Sequence, residues 1–146
     1  MSTLNITISW EPLWKAAREH SWKRGRLQAR EDGAHTELQM GSDMDEDIAK
    51  GLMKDGVASL TEALHEFKPV ATPLEGHWML TLTMSDRYAE TGTEAKIAQD
   101  YVLAFMMAGW SRDVDPERVK AWEEAQANAG VLLLRALHTK QKPVLT

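Results

Sequence analysis

Two segments of alternating polarity, far apart in the chain, place the strongest constraint on how it can fold. Both "LNITISW" (4–10) and "HWMLTLTMS" (77–85) alternate apolar with mostly polar residues. The apolar positions are Leu4, Ile6, Ile8 and Trp10 in the first segment and Trp78, Leu80, Leu82 and Met84 in the second. This period of two predicts strands with one buried face. Because a lone strand is not stable in water, we expect the two to pair.

Two helices are predicted between these strands. The first follows the first strand, with Pro12 in its opening turn, where a missing N–H costs little, and Gly25 as its stop. The second runs from about 45 to 67, with an apolar face that begins at Ile48. Gly51 and Gly56 weaken it by up to about 1 kcal/mol each relative to alanine. We expect these glycines to let a neighbouring element approach closely.

Two more helices are predicted after the second strand, joined by the short link "GWSRDVD" (109–115). The third runs from about 94 to 109 with Thr93 as its cap, and the fourth runs from Pro116 to about 138 with Asp115 as its N-cap. A short link makes them antiparallel neighbours. The segment "FMMAGW" (105–110) favours a buried central helix over an adaptable partner surface.

These elements predict a single α+β domain over residues 1–146. It is mostly helical, with about four helices packed on a small two-stranded sheet. The segment "KPVATPLEG" (68–76) is predicted to be a connection because it contains two prolines. We also expect a mobile loop near 26–42, or alternatively short extended pieces on either side of the turn signal "EDG" (31–33), and a frayed tail from about 139.

The composition excludes several kinds of site. The chain has no cysteine, which rules out disulfides, thiolate metal sites and thiol nucleophiles. Its longest apolar run (102–110) is far shorter than the roughly 20 residues that a membrane span needs. No secretory leader is apparent, so we expect a soluble, cytoplasmic protein.

The stretch "GSDMDEDIAKGL" (41–52) invites a comparison with calcium loops, because Asp43, Asp45 and Asp47 alternate. A calcium loop that starts at Asp43 needs glycine at its sixth position and a bidentate glutamate at its twelfth. Those positions hold Ile48 and Lys54. The stretch is therefore interpreted as an acidic helix start, stabilised by the positive end of the helix dipole.

No other motif predicts catalysis, a metal or a cofactor. The pair Glu62-x-x-His65 occurs once, whereas carboxylate-bridged di-iron bundles use it twice. Nucleotide-binding and nucleophile-elbow motifs are absent. We therefore expect a non-enzyme without cofactor or metal, and no small-molecule substrate is evident. Convergence of His77, Asp86 and Tyr88 in one pocket would indicate an enzyme instead.

The charges of the chain are segregated although the net charge is only −5. Residues 15–30 contain six basic residues and one acid, whereas residues 31–47 contain seven acids and no lysine or arginine. A basic segment next to an acidic one predicts a contact between copies of the chain, although two solvated surfaces that meet nothing remain the alternative. The basic run also allows non-specific proximity to DNA. The predicted contact residues are Lys23, Arg24, Arg26, Arg30, Asp43, Asp45 and Asp47.

The order of these features resembles a known class of small viral proteins. A one-sided strand leads into a helix containing "SWKRG" (21–25), then "DMDED" (43–47), a second strand and two helices joined by "GWSRDVDPERVKAW" (109–122). This order resembles small structural proteins of tailed-phage and prophage gene clusters of gut bacteria. It is similar in general plan to head–tail connector (neck) proteins, which are helical subunits of rings.

The resemblance implies a non-enzymatic structural subunit that acts through self-assembly. Its partners would be copies of itself or other virion proteins, and its location the virion or the cytoplasm of the bacterial host. The alternative is a cytosolic interaction or regulatory domain that binds an unidentified protein through a tryptophan-rich surface, since the chain has six tryptophans.

Overall fold

The computed structural model describes the backbone of residues 2–32 and 43–139 and the side chains of residues 2–21 and 45–139. These ranges contain four α-helices and three strands, so the predicted α+β, mostly helical class is confirmed. Short 3₁₀ turns, His65–Phe67 and Pro116–Arg118, follow the second helix and precede the fourth. In chain order the elements are β1 (Ser2–Ser9), α1 (Trp10–Asp32), α2 (Asp43–Ala63), β2 (Val70–Leu74), β3 (His77–Met84), α3 (Glu94–Val114) and α4 (Val119–Leu137).

The sheet is antiparallel and has β3 at its centre. The predicted pairing of the two alternating segments is present, with Leu4 opposite Leu82 and Ile6 opposite Leu80. A third strand, β2, pairs with the other side of β3 and gives the order β1-β3-β2. The sheet therefore has one strand more than predicted.

The additional strand lies in the segment that was predicted to be a connection. Its proline, Pro73, is tolerated because β2 is an edge strand, where one side needs no hydrogen-bond donors. A tight turn at Glu75 and Gly76 joins β2 to β3. Gly76 has a φ of 75°, a conformation that favours glycine. The prediction of a connection is wrong because a proline that would interrupt a central strand is compatible with an edge strand.

The core lies between the inner face of the sheet and the helices. Helix α3 is central: it contacts the other three helices and β1. Met106, Met107 and Trp110 are all buried, which confirms the prediction of a buried central helix for 105–110. The inner sheet face consists of buried apolar side chains of β1 and β3: Leu4, Ile6, Ile8, Leu80, Leu82 and Met84.

Close packing of α2 on α3 depends on glycine at particular positions. A Cβ atom at Gly56 would lie 3.2 Å from side-chain atoms of both Val102 and Phe105, and one at Gly109 would lie 2.5 Å from Leu52 Cδ2. A Cβ atom at Gly51 would meet nothing within 4 Å. The expected close approach is therefore confirmed at Gly56 and wrong at Gly51.

The helix boundaries differ from prediction in three places. Helix α1 continues through Gly25 to Asp32, so residues 26–32 of the predicted mobile loop are helical, while 33–42 lie outside the described residues. Helix α3 continues to Val114 rather than ending at Gly109. Most of the predicted frayed tail, 140–146, also lies outside the described residues.

The helix caps and the apolar face of α2 also differ from the prediction. Thr93 and Asp115 occupy the predicted N-cap positions but make no side-chain capping hydrogen bond, and Pro116 begins a 3₁₀ turn before α4. Ile48, predicted to open the buried face of α2, is 47% exposed, and the buried face begins at Ala49 instead. Within the described ranges, no helix is both long enough and apolar enough to cross a membrane.

Candidate functional site

The predicted contact residues fall on two successive helices. The basic residues Lys23, Arg24, Arg26 and Arg30 lie in the second half of α1, and the acidic residues Asp43, Asp45 and Asp47 lie at the start of α2. The side chains of the four basic residues and of Asp43 lie outside the described residues. The contact itself therefore stays a prediction.

The start of α2 is continuous helix, which confirms the helix-start interpretation of "DMDED". Asp45 is half-buried and Asp47 is exposed. Glu46 forms an ion pair with Lys50, one turn along, at 3.6 Å. No group of three His, Asp or Glu side chains arranged to hold a metal ion occurs in the part of the chain with described side chains.

A pocket lies where the 3₁₀ turn after α2, the end of β3 and the end of α4 meet. Its volume is about 290 Å³, and Phe67, Met84 and Leu137 form its apolar part. Its polar lining comes from Glu66, Lys68, Thr83, Ser85, Tyr88, His138 and Thr139. Sequence reasoning missed this site because its residues come from three distant segments that share no local motif.

An exposed pair spans part of the pocket rim. His138 Nε2 lies 3.2 Å from Glu66 Oε1, and the His138 ring contacts the Phe67 ring with 5.3 Å between centroids. Both polar side chains are about half exposed. Such a surface pair contributes at most about 1 kcal/mol, and it is an ion pair only when His138 is protonated.

One wall of the pocket is held by a buried carboxylate. Glu94, at the start of α3, is only 3% exposed. Its Oε1 accepts hydrogen bonds from the Tyr88 hydroxyl, from the Thr91 N–H at 2.7 Å and from the Thr91 hydroxyl at 2.9 Å. These bonds tie Tyr88 and Thr91, in the segment before α3, to the first residue of that helix.

The same contacts determine the protonation of both groups. Burial by itself raises the pKa of Glu94, but the hydrogen bonds from Tyr88 and Thr91 outweigh it and lower that pKa to about 2. Burial and then the neighbouring Glu94 carboxylate raise the pKa of Tyr88. At neutral pH the Tyr88 phenol that lines the pocket is therefore neutral, and the Glu94 carboxylate bonded to it is ionised.

Lys68 combines a position on the pocket with an unusual backbone conformation. Its φ of 50° and ψ of 58° place it in the left-handed region, and it is the only non-glycine residue with positive φ in the described backbone. Such a conformation costs a residue with a Cβ atom roughly 1–2 kcal/mol. Its N–H closes the 3₁₀ turn by donating to the His65 carbonyl at 3.1 Å.

The residues whose convergence would indicate an enzyme are not brought together. Tyr88 lines the pocket, but His77 begins β3 and Asp86 follows its other end. An eight-residue strand separates the two by about 25 Å. In the Glu62–His65 pair, His65 Nδ1 lies 3.1 Å from the Glu62 backbone carbonyl oxygen.

The tryptophans with described side chains belong to the core or its margin. Trp10 and Trp110 are buried, and the other three, Trp14, Trp78 and Trp122, are partly buried. Trp10 stacks on Trp14 with 5.4 Å between ring centroids, and the Lys50 ammonium lies 5.5 Å from the Trp10 ring centroid. A tryptophan-rich outer surface does not occur among these five residues.

No described element covers the side of the sheet that faces away from the helices, and we call this side the outer sheet face. None of its residues is buried, and two large apolar side chains on β2, Val70 and Leu74, are 60% and 47% exposed. By strand register it consists of Thr3, Asn5, Thr7, Ser9, Val70, Thr72, Leu74, His77, Met79, Thr81 and Thr83.

Comparisons with known protein families, with curated proteins and with solved structures found no match for this chain.

Proposed function

We propose that this chain is a non-enzymatic structural subunit that acts through self-assembly, of the kind that forms the head–tail connector of a phage or prophage particle. The observation that carries the proposal is the outer sheet face, which no described element covers and which exposes Val70 and Leu74. Val70 and Leu74 lie on the same face of β2, on either side of Thr72, and exposed large apolar side chains on an uncovered face favour a surface that meets another protein.

The two edges of the sheet support the same proposal. β1 is an edge strand: among the described residues, no strand pairs with the edge that faces away from β3. The eight residues of β1 carry no charged side chain. Natural proteins usually protect such edges with charges, prolines or bulges, because an open edge pairs readily with another chain. Pro73 protects β2 in this way, so β1 is the edge better suited to a contact between subunits.

The segregated charges would determine which surfaces of neighbouring subunits meet. Subunits of a ring use a heterologous contact, in which one face docks on a different face of the next copy. We propose that the basic second half of α1 meets the acidic start of α2 of a neighbouring subunit. The exposed position of Asp47 at that start supports this arrangement.

The alternative is an interaction or regulatory domain with an unidentified partner. Its expected binding surface was rich in tryptophan, and the five tryptophans with described side chains are buried or partly buried. This observation favours self-assembly through the outer sheet face and the charged segments. A chain that is monomeric at every concentration would favour the alternative.

Charge reversal tests the proposed contact. Arg24→Glu with Arg26→Glu should reduce the oligomer mass measured by multi-angle light scattering, and adding Asp45→Lys with Asp47→Lys should restore it. The matched control reverses Arg118 and Lys120, two exposed cations at the start of α4, and should leave the mass unchanged. Equal masses for the wild type, the variant with two substitutions and the variant with four would refute the contact.

A further inference from the structure

We propose that the pocket between the His65–Phe67 turn, the end of β3 and the end of α4 binds a small organic cation: an ammonium group attached to an aromatic or alkyl body. This binding site is additional to the assembly proposed above and does not depend on it.

The shape and lining of the pocket suit such a body. Its volume of about 290 Å³ is at the lower end of the range for ligand pockets, roughly 300 Å³ upward. Phe67, Met84 and Leu137 provide the apolar contacts, and a methionine side chain adapts to ligands of different shape. The aromatic rings of Phe67 and Tyr88 also attract a cation that approaches their faces.

The charges around the pocket favour a ligand with a positive charge. Helix α4 ends at Leu137, so the partial negative charge of its C-terminus lies at the pocket. Glu66 lines the pocket, and the ionised Glu94, which is not itself part of the lining, accepts a hydrogen bond from the hydroxyl of the lining residue Tyr88. Lys68 and, when it is protonated, His138 oppose this attraction. Like Glu66 they are exposed to solvent, which screens their charges, whereas Glu94 is buried and is screened much less.

The existing rim pair indicates where the ammonium group would bind. His138 Nε2 lies 3.2 Å from Glu66 Oε1, and the His138 ring contacts the Phe67 ring. The ammonium group of a ligand can take the place of His138 Nε2 beside Glu66, and the apolar body of the ligand then packs on the Phe67 ring. The ligand therefore competes with His138 for Glu66, and Lys68 opposes it by repulsion. Removing the charge of Glu66 should therefore weaken binding of a cation, and removing the charge of Lys68 should strengthen it. An anion would show the opposite pair of effects.

Three probes of similar size test the sign of the ligand: 2-phenylethylammonium, uncharged 2-phenylethanol and the anion phenylacetate. In ¹H–¹⁵N correlation spectra of the full chain, the ammonium probe should shift the amides of Lys68, Ser85 and Thr139 with a Kd on the order of a millimolar. The alcohol should bind more weakly and phenylacetate most weakly. An absence of pocket shifts with the ammonium probe, or tighter binding of phenylacetate, would overturn the proposal.

Three variants assign the effect to the pocket. Glu66→Gln should weaken binding of 2-phenylethylammonium by about threefold, and Lys68→Gln should strengthen it by a similar factor, as expected for partly exposed charges. Glu62→Gln removes an exposed acid of α2 outside the pocket lining and should leave the affinity unchanged. Unshifted amides in α3 show that each variant is folded. Reversed signs, or equal affinities for the wild type and all three variants, contradict the inference.

Discussion

Replacing the glycines of α2 by alanine tests the packing of α2 on α3. At Gly51 the new Cβ atom meets nothing within 4 Å, so the variant should gain the full helix preference of alanine, about 1 kcal/mol of unfolding free energy. At Gly56 the Cβ atom would lie 3.2 Å from both Val102 and Phe105. Val102 is fully buried and branched at its Cβ, so it has little room to move.

The two substitutions should therefore have different outcomes despite identical chemistry. Overpacking costs about 1–3 kcal/mol, which cancels or exceeds the gain at Gly56. We expect Gly51→Ala to raise the melting temperature by about 3 °C and Gly56→Ala to leave it unchanged or lower it. Thermal and urea unfolding followed by circular dichroism measure both. Equal stabilisation by the two substitutions would refute the close approach of α2 and α3.

Three further predictions concern the carboxylate of Glu94, the backbone of Lys68 and the burial of Ile8. The pKa of Glu94 is lowered to about 2 from an ordinary value of 4.5. Its ionised form should therefore stabilise the fold by about 3 kcal/mol above pH 4.5, and this stabilisation should be lost as the pH falls towards 2. Urea unfolding at several pH values should show that loss in the wild type and a smaller one in Glu94→Gln; equal slopes would contradict the carboxylate's role. Lys68→Gly should raise the unfolding free energy by about 1 kcal/mol, since glycine adopts a φ of 50° without strain; a loss of stability would show that the Lys68 side chain contributes to the fold. Ile8→Ala in β1 should lower the unfolding free energy by about 2–5 kcal/mol, while Ile48→Ala at an exposed position should change it by less than about 0.5 kcal/mol; similar values would place Ile8 outside the core.

The sequence predicts those parts of the fold that have a local periodic signal. β1 alternates strictly and β3 does so except at Met79, and both their existence and their pairing are confirmed. β2 has no such signal, because it is short, contains Pro73 and is stabilised by its position beside β3. Helix α1 passes through Gly25 because a cost of about 1 kcal/mol is small compared with the hydrogen bonds of a continuing helix.

The functional features depend on contacts that span the chain, which explains why they were harder to predict. The pocket combines Glu66, Tyr88 and His138, whose proximity follows only from the sheet pairing and the position of α4. The burial of Glu94 also depends on this arrangement, since a glutamate at a helix start is usually exposed. The charged segments, in contrast, are evident in the sequence, but their partner surface depends on how copies of the chain assemble.

The mass of the wild-type chain in solution tests the central claim, self-assembly, most directly. Multi-angle light scattering or sedimentation equilibrium should be performed from micromolar to submillimolar concentrations at low and at physiological salt. We predict an oligomer whose mass rises with concentration and falls with added salt, because the proposed contact joins opposite charges. A constant monomer mass of 16.4 kDa across these conditions would contradict the claim.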